Sequence, residues 1–210
     1  MAEKAKENFE TEVKFRVDDE ATFNLLKQME QLGDFQLVPV GTKIVVDSYM
    51  DTAGNRFMQA GYACRIREVK QKLTLTLKSL TPPDGAIHRR EEFESAITSV
   101  DPTEWPTNET TAKALTIAAG ELLQTFFVLR QIRHKYNAML KGQPVLEFSL
   151  DEVWHTAGDE VDYFELEAEL IETGTEVELT RFIEALQARW NLPLESRSKF
   201  ERAYIANFEK

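Results

Sequence analysis

Apolar and charged side chains alternate along most of this chain with a period of two. In residues 9–17 the odd positions Phe9, Val13 and Phe15 are apolar, while Glu10, Glu12, Lys14 and Arg16 between them are charged. The same alternation sets Arg65 and Arg67 against Cys64 and Ile66, and Thr74, Thr76 and Lys78 against Leu73, Leu75 and Leu77. Arg90, Glu92 and Glu94 share a face, as do Arg133 and Lys135. Glu147, Ser149 and Asp151 oppose Leu146, Phe148 and Leu150, and Glu165, Glu167 and Glu169 oppose Phe164, Leu166 and Leu170. Side chains alternate across a strand, so the pattern predicts strands near 9–17, 35–50, 62–69, 72–80, 87–98, 126–139, 144–154 and 161–171. Spacing of three and four (Phe23, Leu26, Met29; Leu179, Phe182, Ile183, Leu186) predicts helices near 20–32, 110–124, 176–190 and 198–208, with Gly33 at C′ of the first. Turn signals at 33–34, 52–55, 82–85, 102–106, 141–144 and 156–159 separate these elements, and no repeat or linker interrupts them. Residues 1–210 suffice for one large domain or two small ones, and the order of elements suits an antiparallel α+β or barrel architecture rather than alternating βα units.

At least seven of these strands place charged or polar residues in register on one face. In an open sheet that face would be solvated and the apolar face would pack on helices. About eight antiparallel strands also suffice to close a barrel. With the helices outside, the apolar faces would then point outward and the charged faces into the lumen. The alternation fits both architectures.

Charge and cysteine content narrow the partners. The 210 residues include 25 Lys and Arg against 36 Asp and Glu, a net charge of −11. Such a chain repels polyanions at long range, so it is not expected to grip nucleic acid, and any phosphate it binds needs a local basic pocket. Cys64 is the single cysteine, which excludes an internal disulfide and fits a reducing, cytoplasmic setting. It lies on an apolar face and reads as buried and inert. The opening MAEKAKENFE has no apolar run, the longest apolar stretches are too short to span a bilayer, and no membrane partner is expected. No GxxxxGK[ST] is present, and the three histidines are too scattered for a zinc signature. Lys70 and Lys72, in the 68–72 hairpin, read as solvated.

An ordered set of short motifs is more specific. Glu10-Thr-Glu12-Val-Lys14 is followed by Asp47-Ser-Tyr49-Met-Asp51-Thr52, Gly61-Tyr-Ala-Cys-Arg65-Ile-Arg67 and Leu75-Thr-Leu-Lys78. Arg133-His-Lys-Tyr136, Ser149-Leu-Asp151, Phe164-Glu165-Leu-Glu167 and Ser198-Lys199-Phe200-Glu201-Arg202 come later. In this order and spacing, from about residue 9 to 204, the set resembles the CYTH family, the triphosphate tunnel metalloenzymes. That resemblance implies an eight-stranded antiparallel closed β-barrel with helices packed on the outside and a lumen lined by acids and bases. It implies Glu10, Glu12, Asp151, Glu165 and Glu167 as ligands of Mg2+ or Mn2+, with Glu169 continuing the row. Lys14, Arg65, Arg67, Lys78, Arg133 and Lys199 would hold triphosphate, joined by Arg90, whose register against Arg89 is open by one residue, and by Lys135 in support. Glu10, Glu12 and Lys14 would form the catalytic motif.

These residue types suit phosphoryl transfer, which asks a protein mainly for positioning and charge stabilisation. Arginine forks onto phosphate oxygens, and magnesium or manganese takes oxygen ligands. The expected activity is metal-dependent hydrolysis of tripolyphosphate to pyrophosphate and phosphate, with a small-molecule triphosphate as ligand and a homodimer admitted as the assembly. Thiamine triphosphatase and class IV adenylate cyclase use the same tunnel residues. A triphosphate- or polyphosphate-binding module without turnover, and an open scaffold with a solvated sheet face, are the alternatives of other classes.

Overall fold

A computed structural model describes residues 9–82, 85–155 and 160–208. The expected turns at 82–85 and 156–159 fall largely outside these residues. The chain runs β1 (Phe9–Val17), α1 (Glu20–Lys27), β2 (Gln31–Leu32), β3 (Phe35–Thr52), α2 (Arg56–Gln59), β4 (Tyr62–Val69), β5 (Lys72–Ser79) and β6 (Ile87–Ile97). A 3-10 turn at Pro102–Glu104 leads to α3 (Glu109–Ala118), β7 (Leu123–Leu140), β8 (Gln143–Trp154), β9 (Tyr163–Leu170), α4 (Glu176–Trp190) and α5 (Lys199–Phe208). Neighbours in the sheet follow the order β3-β4-β5-β6-β1-β9-β8-β7, and β7 pairs back onto β3. Every ladder is antiparallel, so eight strands form a closed barrel and β2 adds a short ninth strand beside the start of β3.

Closure settles which face turns inward: the apolar faces lie outside, under helices. Val13, Phe15, Phe148, Leu150 and Leu166 pack with Phe23 and Leu26 of α1 and with Leu179, Phe182 and Leu186 of α4. Cys64, Ile66, Leu75, Leu77 and Phe93 pack with Phe57 of α2 and with Ala114 and Ala118 of α3. Each fully buried aliphatic or aromatic side chain contributes about 1.5–3 kcal/mol, so these two outer layers hold the barrel shut while its lumen stays polar. Asn108 and Thr175 cap α3 and α4, each closing a reciprocal capping box with the residue three positions on.

Three expected boundaries differ. The first helix stops at Lys27, because Gln31-Leu32 pairs with Gln36 and Phe35 in a tight hairpin. Gly33, at φ +55, is a turn residue of that hairpin rather than a helix C′ residue, and Met29 reaches the core from a connecting loop. The helix expected over 110–124 ends at Ala118, where Ala119 and Gly120 take positive φ, and β7 begins at Leu123. Helix α2, unexpected from the sequence, follows directly on the turn at 52–55; Asp51 ties it down by accepting from the Phe57 and Met58 amides.

Candidate active site

The ladders place the charged positions of neighbouring strands side by side. Glu12 and Lys14 of β1 stand opposite Glu169 and Glu167 of β9. Those residues stand opposite Glu147 and Ser149 of β8, and Glu165 stands opposite Asp151. Arg133 of β7 is opposite Asp151, and Lys135 is opposite Ser149. Around the other half, Asp47 is opposite Arg67, Arg65 opposite Thr76, Lys78 opposite Glu92, and Arg90 opposite Glu10. Directly paired residues project to the same face, so all of these enter the lumen. The register of β6 is thereby settled. Arg90 and Glu92 face inward, whereas Arg89 binds Glu176 and Glu91 meets Tyr62 and Lys113 on the outside.

These side chains enclose a cavity of about 250 Å3. Glu10, Glu12, Glu92, Glu94, Glu147, Glu167 and Glu169 line it, interleaved with Lys14, Arg65, Arg67, Lys78, Arg133, Lys135 and Lys199. Asp151 and Glu165, both fully buried, sit behind this wall. Arg90 reaches instead a smaller annex of about 30 Å3 that includes Tyr49, Ala63, Leu80, Ser198 and Phe200. At this end α5 lies against the lumen, with the Phe200 ring 5.4 Å from Tyr49 and 5.7 Å from Phe127. Lys70 and Lys72 are exposed in the β4–β5 turn, away from the cavity lining.

The charges are paired closely. Lys14 Nζ lies 2.8 Å from Glu12 and 3.6 Å from Glu167, and Lys78 bridges Glu12 (3.0 Å) and Glu10. Arg133 grips both Asp151 oxygens at 2.8 and 2.6 Å and reaches Glu167 at 2.5 Å. Lys135 pairs with Glu147 at 2.5 Å. Lys199 enters from the first turn of α5 and stands 3.0, 2.5 and 2.8 Å from Asp151, Glu165 and Glu167. Arg202, one turn later, holds the second Glu165 oxygen at 3.2 Å.

Proton affinities divide the acids. Burial raises Glu12 and Glu167, but the ammonium and guanidinium groups beside them (Lys14 and Lys78; Lys199, Arg133 and Lys14) prevail and hold both well below the usual range. Burial pushes Glu10 up to about 7, with Glu12 adding to the rise. Burial pushes Glu169 up to about 8, helped by Glu10, Glu12 and Glu92. Burial also holds Glu165 at about 7 in spite of Lys199. One patch of the wall thus concentrates carboxylates beyond what the neighbouring bases neutralise.

The donor set suits a hard divalent cation. Asp151, Glu165 and Glu167 bring carboxylate oxygens within 4.8 Å of one another, an all-oxygen cluster of the kind magnesium and manganese take. Lys199, at the centre, shares the positive charge at that cluster with Arg133 and Arg202. The six acids expected as one metal set fall into two groups, this cluster and the Glu10, Glu12 and Glu169 group.

Strands β3 and β6 contribute residues that face-sorting passed over. Asp47 is fully buried and accepts from Arg67 Nε and Nη2 at 2.7 and 2.8 Å and from Gln131 at 2.7 Å. His88 is also buried; its Nδ1 lies 2.6 Å from Arg90 Nη2 and its Nε2 lies 3.3 Å from the Glu195 carbonyl. The signal for His88 was its position two residues before Arg90 on one strand face. Cys64 is buried under α2 and α3, and burial pushes its thiol up, so it stays unreactive.

Residues 8–204 match the CYTH domain family. Among curated proteins, none matches the chain in sequence. Among solved structures, a Hippeastrum protein, HpAC1, whose structure is described as that of an adenylyl cyclase candidate with a dominant triphosphatase activity, is 22% identical with a TM-score of 0.72; the match covers 95% of this chain and 97% of that one. A Bacillus halodurans structure described as an adenylate cyclase candidate has 21% identity and a TM-score of 0.61, covering 93% and 98%. A similarly described Vibrio parahaemolyticus structure has 19% identity and a TM-score of 0.55, also covering 93% and 98%. At these identities the likeness is one of fold. No helix among the described residues is long and apolar enough to cross a membrane.

Proposed function

The chain belongs to the CYTH domain family, and from that premise we propose that it hydrolyses inorganic tripolyphosphate to pyrophosphate and phosphate, dependent on Mg2+ or Mn2+, inside the barrel. The observation that carries this reading is the alternation of seven carboxylates with seven cationic side chains around one cavity. Such a wall offers a polyanion little net positive charge. A site built only to hold phosphate gains nothing from the carboxylates, whereas divalent cations bound to them make the lumen attractive to a triphosphate. An open, solvated sheet is excluded by the closed barrel.

Glu10, Glu12, Glu167 and Glu169 border the cavity and would hold the metal, with Asp151 and Glu165 behind them. A divalent ion there supplies positive charge to phosphate oxygens and to the attacking water. The remaining work falls to the chain itself. Arg65, Arg67 and Arg133 present planar donor forks to the phosphate oxygens, and Lys14, Lys78 and Lys199 act as point charges. The Lys14–Glu12 and Lys78–Glu12 pairs fix those ammonium groups before substrate arrives, which lowers the reorganisation needed in the transition state.

Size supports an inorganic substrate. The cavity of about 250 Å3 is smaller than the roughly 300–1,000 Å3 that sites for drug-sized ligands occupy. The annex beside it, around Tyr49, Leu80 and Phe200, adds about 30 Å3. The test is phosphate release from tripolyphosphate, thiamine triphosphate, ATP and long-chain polyphosphate, with magnesium, manganese or chelator. Metal-dependent release fastest on tripolyphosphate is expected. Preference for thiamine triphosphate or ATP would overturn the substrate, and tight tripolyphosphate binding without release would favour a binding module.

A further inference from the structure

We propose that Asp47 is a positioning residue that aims the Arg67 and Arg65 guanidinium groups at the triphosphate, a role that rests on the function proposed above. Asp47 stands on β3, across the ladder from Arg67, and is fully buried. Its Oδ1 accepts from Arg67 Nε at 2.7 Å, and its Oδ2 accepts from Arg67 Nη2 at 2.8 Å and from Gln131 Nε2 at 2.7 Å. Arg65 Nη1 lies 3.6 Å from the same Oδ2. With Arg67 and Gln131 filling its acceptor sites, the carboxylate has little capacity left for a metal, and it is not among the acids that converge on Lys199. Burial works against its ionisation, but Arg67 and Arg65 hold it well below the usual carboxylate range, so it is anionic.

The geometry has a directional consequence. A bidentate pair uses one edge of the planar guanidinium and fixes the plane of the rest. Arg67 spends Nε and one Nη2 hydrogen on Asp47, which leaves its Nη1 donors for the cavity it borders. Arg65 is braced from both sides, by Asp47 and by Thr76, which its Nη2 reaches at 3.3 Å. Its buried Nε has no hydrogen-bond partner among the described residues and is a donor still to be satisfied. Gln131, on β7 at the other flank of β3, holds the same carboxylate from the side opposite Arg67.

Positioning and mere charge balance predict opposite signs, which makes the role testable. If Asp47 only offset two arginines, Asp47→Asn would make the lumen more positive and tighten tripolyphosphate binding. If it aims them, the same variant weakens binding and slows turnover despite the added positive charge. A misplacement of about 1 Å at such a site costs as much as roughly a hundredfold. The experiment is calorimetric titration of tripolyphosphate with manganese present, and phosphate-release kinetics, on wild type, Asp47→Asn, Asp47→Glu, Arg67→Ala and the Asp47→Asn/Arg67→Ala double variant. The expected result is a Kd raised at least tenfold in both Asp47 variants, with kcat reduced, and a double variant whose loss is well short of the sum of the two single losses, the remainder beyond Arg67→Ala alone reflecting Arg65. Asp47→Glu keeps the charge and moves the carboxylate by one methylene, so it decides the matter should the Asn variant fail to fold. Unchanged or tighter binding, or strictly additive losses in the double variant, would overturn the role. A wild-type protein that neither binds nor cleaves tripolyphosphate would instead overturn the function it rests on.

Discussion

Replacing Lys199 with methionine tests the centre of the site, because it removes one charge and little volume. Lys199 is 5% exposed and lies within 3.0 Å of carboxylate oxygens from Asp151, Glu165 and Glu167. Without it, the three acids keep Arg133, Arg202 and, at Glu167, the more distant Lys14 as partners. Removing one partner of a buried ion pair costs about 3–5 kcal/mol. For a chain of 210 residues, at about 2–4 °C per kcal/mol, the metal-free variant should melt roughly 6–20 °C below wild type. The sign of the pH dependence follows from Glu167. In wild type its depressed pKa contributes stability that is present above the ordinary carboxylate value and lost as pH falls, so the gap between the two proteins should narrow on acidification. Manganese gives a second readout. The vacated acids should take the ion, and at a hundredfold excess over Kd that binding restores about 2.7 kcal/mol, more than it adds to wild type, where the ammonium competes. Scanning calorimetry of the metal-free protein at pH 7.5 and pH 3.5, and of the manganese-loaded protein at pH 7.5, measures all three effects. A variant that melts within about 2 °C of wild type and gains no more from manganese would show that Lys199 is not the cation of this cluster.

Other parts of the structure can be tested as directly. Glu12→Gln should lower kcat/KM for tripolyphosphate by roughly a hundredfold or more while leaving the far-ultraviolet spectrum unchanged, since it removes the anion that Lys14 and Lys78 share; wild-type kinetics would refute the luminal assignment of β1. Glu169 has its pKa raised from the ordinary 4.5 to about 8, so the folded state binds the extra proton and stability should fall as pH rises through that window. Glu169→Gln should flatten this slope in chelator, and an unchanged slope between pH 6 and pH 9 would count against the crowding of Glu10, Glu12 and Glu92 around it. Gly174→Ala places a Cβ 2.0 Å from the Val145 carbonyl oxygen, a backbone clash that should cost about 1–3 kcal/mol, read as a lower Tm with kcat unaltered.

Much of the barrel is legible in the sequence because local alternation is a direct consequence of strand geometry. On β1, β5, β8 and β9 every luminal residue could be assigned from its neighbours two positions away, and these strands carry most of the acids. Legibility fails where one position serves two patterns. Met29 has helical spacing but packs from a loop, because two residues of β2 must reach Phe35 and Gln36. Leu122 and Leu123 extend the apolar pattern of α3, yet Ala119 and Gly120 turn the chain and give Leu123 to β7. On β3 the luminal face mixes Lys43, Val45, Asp47 and Tyr49, so no single-sign row marks Asp47, whose meaning lies in Arg67 twenty positions on and in Gln131 beyond that. Lys199 is harder still: on an isolated helix it would be a solvated lysine, and only the placement of α5 against the barrel buries it.

The decisive ambiguity, solvated face or lumen, lies beyond any local pattern. A strand whose charged side faces water and one whose charged side faces a closed tunnel have the same alternation and the same apolar underside for helices. What separates them is one long ladder, β3 on β7, running from Gln36 opposite Met139 to Thr52 opposite Leu123. That contact joins segments some 70 to 100 residues apart in sequence, and its loop-closure entropy must be offset by both outer cores at once. Closure also creates the chemistry. It brings Asp47 and Gln131 together across the seam, raises Glu10 and Glu169 by withdrawing water, and turns surface ion pairs of little consequence into buried ones whose geometry is fixed. The acids and bases are therefore functional because of a pairing that none of them makes alone.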